Sequence, residues 1–480
     1  MVEPAPSQLF PIVVGVSGHI DIVPEAVDPI RAAVAAVLTE LRETFGAALH
    51  VLTGLAEGAD QLVAQEARKL GIRIIAALPM KMPRYAATLP SDAGREILAD
   101  FWARADLQLQ LPELCDPATP DYDELHYEQL GVLLARRSHL LLALWNGDAP
   151  AVPAKGGTAD VITMRAGGTH DRAAARQSPW FCKSHTRLDL SRGGPVLQIV
   201  TPRVKNGRVV LVPGQDAPVA GGCFLLPPPS LPREVDRGGL LDKMAEDDAL
   251  DFASLATLNA QIARFKALDG AIFHSQIADL NQKRVGDPRG ISKKHLDQLR
   301  AWQAAPDVAA QRYQRRLLGQ FAPAPHWSSL LVKGWNVVRM NWSQKRPPGM
   351  PWWTILLPRL GVIFTFTALV PLAVLLFEIH VADNFHPLWL LAYISLFLVV
   401  LGYYRYRVMP EQWQDRFQDY RALAEAMRVQ LFWGLARLPD GVADYTLRQQ
   451  RGELGWINFA LRGPALWAAA LAENLSVPER

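Results

Sequence analysis

Cysteine is nearly absent: the 480-residue chain holds three, Cys115, Cys182 and Cys223. An odd number, widely spaced, excludes a disulfide scaffold and a four-cysteine zinc centre, and it fits a reducing compartment. Net charge is also scarce. Fifty basic against 47 acidic residues leave +3, too little to imply DNA or RNA as a partner without a local basic patch. The stretch Met1–Gln8 has no basic segment ahead of an apolar run, so an exported soluble protein is not expected. Neither G-x-G-x-x-G nor G-x-x-x-x-G-K-[ST] occurs, which removes the two commonest phosphate-loop signatures. No metal site is expected.

Half of the residues are hydrophobic and 20% are charged, enough for several cores at about 100–200 residues per domain. The apolar residues are unevenly placed. Leu360–Phe377 and Pro387–Tyr404 are uncharged runs, each close to the roughly 20 helical residues that cross a bilayer core. Two buried helices of a soluble domain are the alternative, but such helices keep a polar stripe and these runs have none. Spans are expected at about 354–377 and 387–404. Trp352 and Trp353 flank one end, Tyr403, Tyr404 and Tyr406 the other, as an aromatic belt requires. The segment 378–386 carries no Lys or Arg, whereas Lys333, Arg339, Lys345 and Arg346 precede the pair and Arg405, Arg407 and Arg416 follow it. The positive-inside rule then places both large flanks in the cytoplasm and the chain in the inner (plasma) membrane.

Residues 11–203 alternate short apolar runs with helical patterns. Ile12–Val16, Leu49–Leu52, Ile72–Leu78, Leu140–Trp145 and Val196–Val200 read as buried parallel strands. Helices are expected near 34–45, 59–70, 92–105 and 124–137. The fold class is α/β: residues 1–203 form a Rossmann-like, doubly wound parallel sheet. A turn-rich connector at 204–250 and a helical region at 251–345 lead to a membrane-associated segment, 346–480. In that segment Trp413, Phe417, Tyr420, Ala424, Met427 and Leu431 make a heptad seam on a helix over about 411–437. The seam packs either on the chain's own helices or on another copy. A two-span hairpin encloses no aqueous path alone, so a conducting form requires a homo-oligomer.

Ligands of such sheets sit at the strands' carboxyl ends. After the first strand come Gly15, Ser17, Gly18 and His19; after the second, Thr53, Gly54, Leu55, Ala56, Glu57, Gly58 and Asp60; after Leu140–Trp145, Asn146 and Gly147, then Gly156, Gly157 and Thr158. Glycines admit close backbone approach, and a helix start offers free N–H groups to phosphate. Each loop alone is as readily a tight turn, and His19 as readily a structural histidine. Glu57 and Asp60 repel phosphate, so capping a helix or holding ribose hydroxyls suits them better.

The pieces GVSGH, TGLAEGAD, ALWNG and GGTADVI, followed by GPVLQIVTPR, resemble the SLOG superfamily over about the first 190 residues. The resemblance implies a pocket for a nucleotide or a nucleotide-derived second messenger, of NAD/ADP-ribose or cyclic-nucleotide type. Phosphoribohydrolases of that group end a P-G-G-x-G-T-x-x-E motif on a catalytic glutamate; here Val161 stands at that position, and a valine performs no acid–base chemistry. A binder is therefore expected rather than an enzyme. The hairpin, with Trp413-Gln414-Asp415, the run Tyr420–Arg428, and Glu453–Ile457, is similar to the SLATT family of two-span effectors over about residues 300–470. Together the resemblances imply a pore-forming or membrane-disrupting effector of a bacterial defence system, gated by its cytoplasmic nucleotide sensor. The alternative is a membrane-anchored nucleotide or NAD hydrolase with His19, Glu57 and Asp60 as acid–base groups.

Overall fold

A computed structural model describes residues 7–148, 153–169, 172–181, 193–205, 208–210, 220–226, 233–234, 246–265, 270, 273–274, 293–321, 372–383, 387–403, 405, 413–436, 438, 441–445 and 451–474. The chain divides into two units, residues 1–306 with 422–480, and residues 307–421.

The first unit is built on an eight-stranded sheet. Its strands are β1 (Ile12–Gly18), β2 (Leu49–Thr53), β3 (Arg73–Leu78), β4 (Leu107–Gln110), β5 (Leu140–Trp145), β6 (Val196–Val200), β9 (Cys223–Leu226) and β10 (Arg233–Glu234), in the order β10-β9-β6-β5-β1-β2-β3-β4. Strands β7 (Arg203–Lys205) and β8 (Arg208–Val210) form a separate antiparallel pair. From β6 to β4 every pairing is parallel, and β9 and β10 add antiparallel. The central strands are buried on both faces, which explains why they read as unbroken apolar runs. Strand order reverses between β1 and β5, the switch point beside which ligands of doubly wound sheets bind.

Helices join the strands: α1 (Val27–Phe45), α2 (Ala59–Lys69), α3 (Met82–Thr88), α4 (Asp92–Arg104), α5 (Tyr122–Arg137), α6 (Thr158–Gly167) and α7 (Ala173–Gln177). On α1 the residues Ile30, Val34, Leu38, Leu41 and Phe45 are buried at helical spacing, and Gly46, at φ +57°, ends it. Ser91 caps α4, accepting from Gly94 N at 2.9 Å. Helix α8 (Glu246–Ala263) buries the face of Phe252, Leu255, Leu258 and Ile262.

The last helix differs from its expected place. Helix α12 (Arg451–Asn474) belongs to the unit of the sheet, where the sequence had grouped it with the apolar hairpin. It passes along the amino ends of the parallel strands. His139, at the start of β5, accepts from Val13 N at 2.8 Å through Nδ1, which leaves Nε2–H to donate to Phe459 O at 2.7 Å. Arg462 donates to Ser138 O at 2.8 Å, and Trp467 stands edge-on to His50 of β2 at 5.5 Å. A neighbouring turn supplies Asp444, which pairs with the buried Arg137 at 2.6 Å.

Two long helices run through both units: α9 (Lys293–Phe321), with Pro306 inside it, and α11 (Trp413–Leu435). Of the heptad seam, Tyr420, Ala424, Met427 and Leu431 are buried within the chain itself, together with Leu423. Val429 and Phe432 are left exposed.

In the unit 307–421, Arg421 pairs with Asp307 at 3.0 Å and Tyr313 packs against Tyr420. Helical residues 372–382 and helix α10 (Pro387–Tyr403) show apolar side chains on many sides, including Val374, Leu375, Phe377, Leu388, Leu391, Phe397 and Leu398. Trp389 Nε1 donates to Asp383 at 3.0 Å in the turn between them. Among the described residues no helix is long and apolar enough to cross a membrane; α10 holds 17 residues, about 25 Å at 1.5 Å per residue. Most of the first expected span and the tryptophans at 327, 335 and 342 lie outside the described residues.

Candidate functional site

The crevice between β1 and β5 is where the sequence-derived loops converge. Ser17, Gly18 and His19 leave β1, and Asn146 and Gly147 leave β5. His19 N donates to Leu144 O at 3.1 Å, tying the first loop to the second strand. The imidazole is buried, 6% exposed. Its Nε2 lies 3.0 Å from Asn146 Oδ1 and 3.2 Å from Asn146 N, whereas Nδ1 has no protein partner among the described residues. Burial pushes the imidazole pKa down to about 4, against a smaller upward pull from Asn146. The ring is therefore neutral at physiological pH, a hydrogen-bonding group rather than a cation.

Arg203, Asp21 and Asp148 surround it, all three close enough to influence its titration. The chain leaving β6 returns to the β1 loop: Val23 N donates to Pro202 O at 3.2 Å and Val204 N to Asp21 O at 2.8 Å. Across that pairing the Arg203 guanidinium donates to Asp21 Oδ2 through Nη2 at 2.8 Å and Nε at 3.2 Å. Asp21 Oδ1 is buried and meets no donor among the described residues. Sequence reasoning missed Asp21 and Arg203 as site residues. The only available signal was the arginine three residues past an apolar strand run, in GPVLQIVTPR.

The second loop turns inward. Asp60 accepts from Thr53 Oγ1 and from Gly54 N, both at 3.1 Å. Leu55 is fully buried with φ +58°, a left-handed conformation unusual for a branched side chain. Its N–H goes to Thr53 Oγ1 and its carbonyl to Gln61. Tyr85 donates to Gly54 O at 2.9 Å. Burial raises the Asp60 carboxyl to about 7, in spite of these donors. Glu57 holds the start of α4, accepting from Ser91 N at 3.1 Å and Ser91 Oγ at 2.7 Å. Thr53, Gly54, Leu55, Glu57 and Asp60 thus have partners within the protein, and Glu57 holds a helix start, one of the two roles expected for it. The rim contribution of the loop is Ala56–Gly58. Gly58, at φ +85°, lies so close to the β1 loop that a Cβ there would stand 2.6 Å from Ile20 O, and Ala59 N donates to His19 O at 3.0 Å. Gly15 is a strand residue whose absent Cβ makes room for Ser138, so it too is removed from the rim.

The third loop packs on α5. Gly156, at φ +71°, has no room for a side chain because Tyr127 O would stand 2.5 Å from its Cβ. Its N–H donates to Asp160, which also pairs with Arg172 at 2.7 Å. Asp160 thus lies in the first turn of α6 and reaches back to the glycine turn before it; Thr158 beside it is buried. Val161 is buried, facing Gly131 of α5. At the carboxyl ends of β1 and β5 the segments Ser17–Ile20 and Asn146–Asp148 meet; Ser17, His19 and Asn146 are buried there and Ile20 is exposed. Among the described residues no group of His, Cys, Asp and Glu is arranged to hold a metal ion.

No family model matches the chain, and no curated protein does. Among solved structures the chain is similar to DNA processing protein A (DprA) from Streptococcus pneumoniae, with 16% identity and a TM-score of 0.21 over 28% of this chain. The match spans 41% of that protein. The Rossmann-like α/β architecture stands on the strand order itself.

Proposed function

We propose that this protein is a ligand-gated membrane effector: the β1/β5 crevice captures a nucleotide-derived small molecule, and capture changes the state of apolar helices in a bilayer. The observation that carries this reading is the buried, neutral His19 at the point of strand-order reversal, with one ring nitrogen committed to Asn146 and the other left for a ligand. Arg203 supplies the positive charge that a phosphorylated ligand needs. The exposed apolar side chains of residues 372–403 support lipid contact, since surfaces of this kind mark membrane or partner sites. Homo-oligomers, a place in the inner membrane and a role in defence belong to the same proposal and rest on the resemblances to SLOG and SLATT proteins. The hydrolase alternative is weakened because Glu57 and Asp60 are occupied by Ser91, Thr53 and Gly54.

The test is flux from liposomes that contain the full-length protein, measured across a panel of nucleotides and cyclic nucleotides. The proposal expects at least one to change the flux severalfold in wild type and none to do so in His19→Ala. Flux that is the same with and without every nucleotide contradicts it.

A further inference from the structure

The crevice also holds a group whose hydrogen bonding is incomplete. Asp21 Oδ2 is committed to Arg203, but Oδ1 is buried and has no donor among the described residues. A carboxylate oxygen buried without a partner carries a desolvation penalty that a ligand donor would remove. Asp21 lies two residues beyond His19 in the same loop, held there by Val204 N, which donates to its carbonyl at 2.8 Å. With Oδ2 already committed, Asp21 offers no two-oxygen fork to the paired N–H edge of guanine, and a single donor such as a hydroxyl suits Oδ1 better. The charges around His19 are one arginine, Arg203, against two acids, Asp21 and Asp148. Such a balance disfavours a triphosphate more strongly than a species with a single phosphate.

We infer, resting on the ligand reading above, that Asp21 Oδ1 accepts a ribose hydroxyl while Arg203, still bound to Oδ2, faces the phosphate. The crevice thereby selects ribonucleotides of low charge over their deoxy counterparts. The Arg203–Asp21 pair is about three-quarters buried, at 28% and 27% side-chain exposure, so its orientation is held before the ligand arrives. Prior orientation reduces the cost of binding. Asp21 contacts the ligand directly, and Arg203 also fixes the carboxylate that reads it.

The experiment uses wild-type, full-length protein in detergent and matched probes: the four ribonucleoside monophosphates, their 2′- and 3′-deoxy forms, and the corresponding triphosphates, each titrated calorimetrically. At least one ribonucleoside monophosphate is expected to bind about tenfold to a hundredfold more tightly than one of its own deoxy forms, the effect of losing one hydrogen bond to a charged acceptor. The triphosphate is expected to bind more weakly than the monophosphate. Asp21→Ala should abolish the ribo-to-deoxy preference, and Arg203→Gln should weaken every phosphorylated probe. Equal affinity for ribo and deoxy forms in wild type overturns the inference and leaves the ligand reading standing. Absence of binding by every probe overturns both.

Discussion

Asp60 shows how local chemistry departs from residue type. In the sequence it is an acid at a helix start behind a glycine-rich turn, a pattern shared by ligand loops and by self-capped loops. Burial decides between them: a carboxylate removed from water must find donors inside the protein, and Thr53 and Gly54 provide them. Nothing in the order of residues reveals which way that side chain turns. His19 was legible because a polar ring directly after an apolar strand has few places to go; its partner Asn146 is 127 positions away, joined only by strand pairing. The raised Asp60 carboxyl has a thermodynamic consequence. Its value in the folded chain is about 7, against an ordinary 3.8, so the folded state binds more protons than the unfolded state between those limits. Stability attributable to Asp60 is full below about pH 4 and declines as pH rises toward 7. Asp60→Asn keeps an acceptor for Thr53 and Gly54 without the charge. Urea unfolding at pH 5 and pH 8 should show the variant gaining on wild type by on the order of a few kcal/mol as pH rises. A gap that is unchanged or reversed contradicts the buried, raised carboxyl.

The elements were legible where hydrophobic periodicity was strong. Leu140–Trp145 and Val196–Val200 coincide with their strands, and α2, α4 and α5 fall within two residues of their expected ranges. Strand β4, reading LQLQ, was missed because an edge strand buries alternate residues and leaves no apolar run. Helix α3 was missed for its brevity. The place of α12 was missed for a different reason. The side chains of Phe459, Leu466 and Leu471 are equally apolar whether they meet lipid, another copy or a sheet edge. What identifies the edge is a set of buried polar contacts, from Arg462, His139 and the Arg137–Asp444 pair, that exist only after distant residues meet. That pair makes the element's attachment testable. Its side chains are 3% and 12% exposed, so Asp444→Ala strands a buried guanidinium and should lower stability by about 3–5 kcal/mol in denaturant unfolding. A change below about 1 kcal/mol, the range of exposed pairs, contradicts the described packing of α12.

At the scale of the molecule, one strand joins two ends of the sheet unit. The carboxyl end of β5 carries Asn146 and Gly147 at the crevice, and its amino end carries His139 against α12. A strand paired on both sides is stiff, so a ligand that shifts Asn146 has a physical route to the amino edge. A shift becomes a switch only if the ligand prefers one state: moving a population from 1:99 to 99:1 takes about 10⁴-fold in affinity, or roughly 5.5 kcal/mol. The apolar runs were the most visible feature of the sequence, because 18 uncharged residues in succession stand out from any amphipathic pattern. The proposed site was the least visible, because its side chains are gathered from the ends of β1 and β5 and from the chain after β6. Native mass spectrometry of full-length protein released from detergent, wild type beside His19→Ala, tests the central claim most directly. After incubation with a cellular nucleotide extract, wild type is predicted to retain a phosphorylated small molecule that the variant, equally folded by its melting curve, does not. Equal retention by both proteins, or none by wild type, would contradict the account.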